Sequence, residues 1–93
     1  MYEKLQENTQ LHRFELTISQ VLIAAAYYRV EGSRIVLFRT EIPSGCVGRS
    51  VGWRLALGIF DLLRTSGRKA VLRCPLMSRF LATRLDYLDV IDG

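Results

Sequence analysis

The stretch RTEIPSGCVGRSVGWRLALGIFDLLR, residues 39–64, decides how this chain folds. It reads as the end of a buried strand, a turn rich in small residues, and an amphipathic helix. Gly45, Gly48, Ser50 and Gly52 leave little bulk in the turn, so its backbone can come close to a ligand. Val51, Leu55, Ala56, Ile59, Leu62 and Leu63 then recur at helical spacing over about residues 49–65, with Ser50, Arg54, Asp61 and Arg64 on the other side. The first N–H groups of such a helix have no partner within it, and its dipole is positive there.

A strand, a small-residue loop and a helix N-terminus together make a seat for phosphate. A tight strand-to-helix connection with no ligand has the same composition, and loop composition leaves both open. No Gly-Lys-Ser/Thr closes the turn and no G-x-G-x-x-G opens a first βα unit, which sets aside nucleoside-triphosphate and dinucleotide loops. What remains suits a pyrophosphate held without metal, such as the one coenzyme A carries.

Upstream, residues 1–11 are polar and aperiodic and read as a flexible N-terminal segment. From His12 the chain alternates: Phe14, Leu16 and Ile18 point one way, Arg13, Glu15 and Thr17 the other, the pattern of a half-buried strand. After a short turn at Ser19 and Gln20, residues 21–30 are nearly continuously apolar and read as a strand covered on both faces. Tyr27 and Tyr28 then face opposite sides of the sheet. Glu31-Gly32-Ser33 is a second turn, and a third strand runs over residues 34–42 to Pro43. Three strands with short turns make an antiparallel meander.

Downstream, Gly67 caps the helix, residues 69–74 form a short strand, and Pro75 opens a second helix over residues 76–85. Residues 86–91 add a short strand or an extended tail. The fold class is α/β (α+β) in the order βββαβα, a mixed, mostly antiparallel sheet with two helices. The crossover helix lets the third and fourth strands lie parallel and adjacent, and ligands tend to bind at the C-terminal ends of such strands. The loop after Pro43 lies there.

Ninety-three residues make one domain, with 49% hydrophobic and 24% charged residues, the balance of a folded globular chain. The net charge is +4, its arginines spread along the sequence, so a solvated surface is expected and nucleic acid is not favoured. Two cysteines, Cys46 and Cys74, and the single His12 are too few for a zinc site or a disulfide framework. No apolar signal is visible, and the longest apolar run is far short of the ~20 residues that span a bilayer. The expectation is a cytoplasmic protein with reduced thiols, no metal and no membrane partner.

Three short runs, taken in order, carry a resemblance. Arg39-Thr40-Glu41-Ile42-Pro43 is followed by Val47-Gly48-Arg49-Ser50-Val51-Gly52, then by Cys74-Pro75 with Tyr87-Leu88-Asp89-Val90. In this order and spacing the chain resembles the GNAT superfamily of acetyl-CoA-dependent N-acetyltransferases, in particular its short single-domain members, over residues 14–91. The superfamily's Q/R-x-x-G-x-G/A motif falls on residues 47–52, with Val47 where glutamine or arginine is usual and Ser50 in place of the first glycine. The short subfamily's His-Thr-Glu-Val-Pro is matched with Arg39 in place of histidine.

The resemblance implies a single compact GNAT-like domain, residues 12–93, that uses acetyl-CoA as co-substrate and acetylates an amine, on a small molecule or a protein. It implies that Thr40 and Ile42 pair their backbone with the pantetheine arm. Amides of Val47, Gly48, Arg49, Ser50, Val51 and Gly52 would hold the pyrophosphate, and Arg79 would reach the 3′-phosphate. Glu41, at the strand end, is the candidate base, and Cys74 the candidate nucleophile or site-lining thiol. A solvated or arginine-paired Glu41 and a merely buried Cys74 are the plain alternatives. A non-catalytic module that keeps the fold with an altered loop is the rival reading that Val47 and Ser50 motivate. The acceptor side should be open, and the chain a monomer or homodimer.

Overall fold

The computed structural model describes residues 4–44 and 50–92. Five strands form one sheet in the order β1-β2-β3-β4-β5: β1 Lys4–Asn8, β2 Arg13–Thr17, β3 Ile23–Glu31, β4 Arg34–Glu41 and β5 Lys69–Leu72. The first four are antiparallel neighbours, and β5 runs parallel to β4 after the crossover through α1, Ser50–Ser66. Helix α2 is Pro75–Thr83, and a 3-10 helix, Leu85–Val90, follows it. The expected meander, crossover and two helices are all present.

One strand comes in addition. Residues 4–8, expected to be flexible, pair with β2 from Lys4↔Thr17 to Asn8↔Arg13. Composition hides this strand because tertiary contacts hold it. Leu5 lies so close to Gly58 of α1 that a Cβ built there would come within 2.8 Å of Leu5 Cδ2. On the same face Glu7 accepts bonds from Arg68 and from the Tyr28 hydroxyl.

Alternate strand positions send Phe14 and Leu16, Ala24 and Ala26, Ile35 and Leu37, and Ala70 into one core with α1 and α2. From α1 it takes Val51, Leu55, Ala56, Ile59, Phe60 and Leu63, and from α2 Met77 and Phe80. Among the described residues, the other face of the sheet carries no helix. Gly67, at φ +73°, ends α1 in a Schellman turn: the Arg68 N–H bonds the Leu63 carbonyl, and the Gly67 N–H bonds that of Arg64.

The last segment is helical rather than extended, and only Ile91 bridges to Ala70 alongside β5. Tyr87 sets that shape. It is buried against Phe60 and Phe80, with its hydroxyl bonded to Asp61 and the guanidinium carbons of Arg64 and Arg84 4.5 and 5.0 Å from the ring centroid. No helix among the described residues is long and apolar enough to cross a membrane.

Candidate functional site

Strands β4 and β5 pair from Arg34↔Lys69 as far as Leu37↔Leu72. The Arg73 N–H then donates to the Leu37 carbonyl at 2.8 Å, and the two strands part. β5 passes into Cys74 and α2, while β4 continues to Glu41 with partners on β3 only: Tyr27↔Arg39, Ala26↔Thr40 and Ala25↔Glu41. Tyr28 faces Leu37 and Tyr27 faces Arg39, so Phe38 is an extra residue, a bulge that bends β4. The result is a notch between strand ends, with one edge of β4 unpaired at Arg39, Thr40 and Glu41.

Thr40 and Cys74 meet in the notch. Thr40 shares the helix-side face with Ala26, and its Oγ1 lies 3.4 Å from Cys74 Sγ. Cys74 occupies the N-cap of α2 in extended conformation, ahead of Pro75, and is only 3% exposed. Ile42, just past the end of β4, packs partly buried against the core.

The first turn of α1 packs on the start of α2, which Cys74 opens. Ser50 is exposed, Val51 is buried, and no acidic residue stands in the first turn to offset the helix dipole. Gly52 meets α2: a Cβ there would fall 2.6 Å from Leu76 Cδ1. Its small size therefore has a packing reason, since the first turns of the two helices touch. Arg79 follows Leu76 by one turn, exposed and without an ion pair among the described residues. Val47, Gly48 and Arg49 lie outside the described residues, as do Gly45 and Cys46.

Glu41 and Cys74 do not come together. Glu41 points to the open face of the sheet, on the other side of β4 from Thr40 and the thiol. There its carboxylate pairs with Arg39 and accepts the Tyr27 hydroxyl at 3.1 Å. The bonds continue across the sheet: Arg13 Nη1 donates to the Tyr27 oxygen at 2.9 Å, while Arg13 Nε and Asn8 Nδ2 donate to Glu15 at 2.7 and 3.1 Å. Burial pushes the Glu15 carboxyl up, yet these bonds outweigh it and hold it below the usual carboxylate range. The Arg13 and Arg39 guanidiniums both stack on the Tyr27 ring, 5.6 and 5.3 Å from its centroid.

Sequence reading placed Tyr27 and Tyr28 on opposite faces without saying which is buried, and the structure buries Tyr28. That reading missed the chain from Asn8 to Glu41, which exists only once register sets Arg13 beside Tyr27 and Tyr27 beside Arg39. At the far end of α1 a shallow cavity of about 140 Å³ is lined by Leu63, Arg64, Arg68, Lys69 and Asp89, among others. Its cations are already engaged, Arg64 with Asp89, Arg68 with Glu7 and Lys69 with the Asp89 carbonyl.

Comparison with known proteins agrees with this architecture. The family model for GCN5-related N-acetyl-transferases matches residues 13–90. The NMR solution structure of a GCN5-like protein from Staphylococcus aureus superimposes with a TM-score of 0.69, covering 97% of this chain and 88% of that one. The two are 22% identical, so the likeness is one of fold. No curated protein matches.

Proposed function

The chain belongs to the GCN5-related N-acetyltransferase family, and we propose that it binds acetyl-CoA at the notch between β4 and β5 and acetylates an amine. The observation that carries this reading is the parting of the two strands after Leu37 and Leu72, directly before the contact of Thr40 with Cys74. The residues present suit the coenzyme. An unpaired strand edge can add an extended, amide-bearing arm by backbone hydrogen bonds, and β4 has such an edge at Arg39, Thr40 and Glu41. The first-turn N–H groups of α1 at Ser50, Val51 and Gly52 suit a pyrophosphate, and Arg79 suits a further phosphate. Ile42 continues the strand edge, and Val47, Gly48 and Arg49 complete the expected loop.

Acetyl-CoA, when bound, supplies the acetyl group as a thioester. The chain's own groups then have three tasks. Backbone N–H groups on the free edge of β4 orient the acyl carbonyl and offset charge that develops on its oxygen. Thr40 and Cys74 wall the thioester end, their mutual bond fixing both side chains. Glu41 takes the proton that the amine must shed, directly or through one water, with Arg39 and Tyr27 setting the direction of its carboxylate. An amine that meets Glu41 must arrive from the open face of the sheet. In this reading Cys74 lines the site and the acetyl group passes directly to the amine.

Calorimetric titration with acetyl-CoA, with free CoA as control, tests the binding step. Thiol release with a panel of amines tests the transfer. Binding followed by amine-dependent CoA release is the expected result. A flat titration at millimolar coenzyme would overturn the proposal, and binding without release for every amine would leave a non-catalytic module on the same fold.

A further inference from the structure

Alternation and register gather charge on the helix-free face of the sheet. Arg13, Arg29, Arg39 and Arg73 stand around Tyr27 and Phe38, and Lys4 and Arg34 lie along the margins. Among the described residues, only Glu15, Glu31 and Glu41 oppose them there, an excess of three positive charges. The remaining described charges come within one of balance, with Arg54, Arg64, Arg68, Lys69, Arg79 and Arg84 against Glu7, Asp61, Asp86, Asp89 and Asp92. The excess on this one face accounts for three of the chain's four net positive charges.

We propose that this face docks the acceptor, and that the acceptor is a protein segment whose amine is flanked by carboxylates. The proposal rests on the acetyltransferase reading above. Glu41 links the two, because it belongs both to the face and to the end of β4 beside the notch. Five of the six cations are arginines, whose planar forks match carboxylates. Three of them lie against rings, Arg13 and Arg39 on Tyr27 and Arg29 on Phe38 at 5.8 Å, an arrangement that holds the guanidiniums along the sheet.

Polyamines and lysine-rich tails would meet like charge here. A small anion would engage one arginine, whereas the cations spread across five strands, about 19 Å. Phe38 and Ile23, 42% and 44% exposed, add apolar contact that suits a polypeptide. Single-stranded nucleic acid needs open rings for its bases, and the Tyr27 ring is already taken by two arginines. A second copy docked face to face would bring the two positive excesses together.

The test is fluorescence anisotropy, without acetyl-CoA, using three labelled probes of equal length. These are a peptide of glutamates around one central lysine, a lysine-rich peptide, and an oligothymidylate. The acidic peptide should bind, more weakly as salt rises, and at least about tenfold more tightly than the other two. Arg29→Glu with Arg73→Glu should weaken it about tenfold or more, while Arg84→Glu, the same kind of change away from the face, should not. Arg73→Gln alone, at an exposed site, should give a smaller loss in the same direction if the double variant fails to fold. Equal binding of the lysine-rich peptide, tighter binding of the oligothymidylate, or indifference to the face variants would overturn the proposal. So would a dimer that those variants dissolve. A chain that binds the acidic peptide but not acetyl-CoA keeps the docking surface and loses the transferase. Acetyl-CoA binding without peptide binding gives the reverse.

Discussion

Thr40 Oγ1 and Cys74 Sγ stand 3.4 Å apart, 34 residues apart in the chain, at the point where β4 and β5 have just separated. The contact ties the end of the third meander strand to the start of α2 and closes the inner end of the notch. A nucleophilic cysteine needs its thiolate and access to substrate, whereas this thiol is 3% exposed and bonded to a hydroxyl.

The first prediction follows from that contact. Cys74→Ser should keep acetyl transfer within about tenfold of the parent chain, since the proposed direct transfer takes no covalent step through the sulfur. Mass spectrometry of the parent with acetyl-CoA and no amine should find no acetyl group on Cys74. An acetylated Cys74 that discharges when amine is added would make the reaction two-step.

The Glu7 cluster predicts how stability depends on pH. Glu7 accepts bonds from Arg68 at 2.9 and 3.1 Å and from the Tyr28 hydroxyl at 2.5 Å. The Arg68 guanidinium holds its carboxyl below the ordinary 4.5, against burial that raises it. A depressed folded value gives stabilisation that is complete above the unfolded value and lost as pH falls through the folded one. Glu7→Gln should therefore cost about 1–2 kcal/mol at neutral pH, with the gap to the parent narrowing below pH 4.5 in urea titrations.

At the alkaline end the same cluster acts with opposite sign. Burial first, and then Glu7, pushes the Tyr28 hydroxyl up from 10 to about 12. A raised folded value gives stability that is full below pH 10 and lost as pH rises through about 12. Stability of the parent should fall across that window, and Tyr28→Phe should flatten the fall. An unchanged slope in the variant would remove Tyr28 as its cause.

Gly58 supplies a test of the docked N-terminal strand. Alanine there gains about 1 kcal/mol of helix propensity, but its Cβ would lie 2.8 Å from Leu5 Cδ2 and 3.3 Å from Leu5 Cβ, and overpacking costs about 1–3 kcal/mol. Gly58→Ala should lower Tm in the parent and raise it in a Leu5→Ala background. Equal effects in both backgrounds would mean that β1 does not rest on α1 in solution.

Gly52 separates packing from ligand binding. A Cβ added there would meet Leu76 Cδ1 at 2.6 Å, the far end of a flexible side chain, so Gly52→Ala should destabilise modestly and Leu76→Ala should relieve the strain. In the double variant, acetyl-CoA titration should stay within a few-fold of the parent. Loss of coenzyme binding with Tm restored would show that the glycine serves the ligand.

Much of the fold is legible along the chain because local signals agree. Alternation at Phe14, Leu16 and Ile18, the Gly32 and Gly67 turns, and helical spacing from Val51 to Leu63 each depend on neighbours a few residues away. The motif order also pointed to the family. Strand β1 was hidden because polar residues 4–8 owe their place to Gly58 and Arg68, far along the chain. The bulge at Phe38 was hidden too, since only the pairing with Tyr27 and Tyr28 defines it.

By itself, then, the sequence determined the meander, the crossover helix and the net charge, which rest on composition or short-range periodicity, and the family, which rests on the resemblance its motifs carry in order. Tertiary structure decided which side chains share a face. It set Glu41 on the opposite side of β4 from Cys74, and it gathered arginines scattered from Arg13 to Arg73 onto one surface. The reason is register: a shift of one residue in any strand turns its side chains to the other face, and register is settled by pairing and core packing between residues distant in the chain.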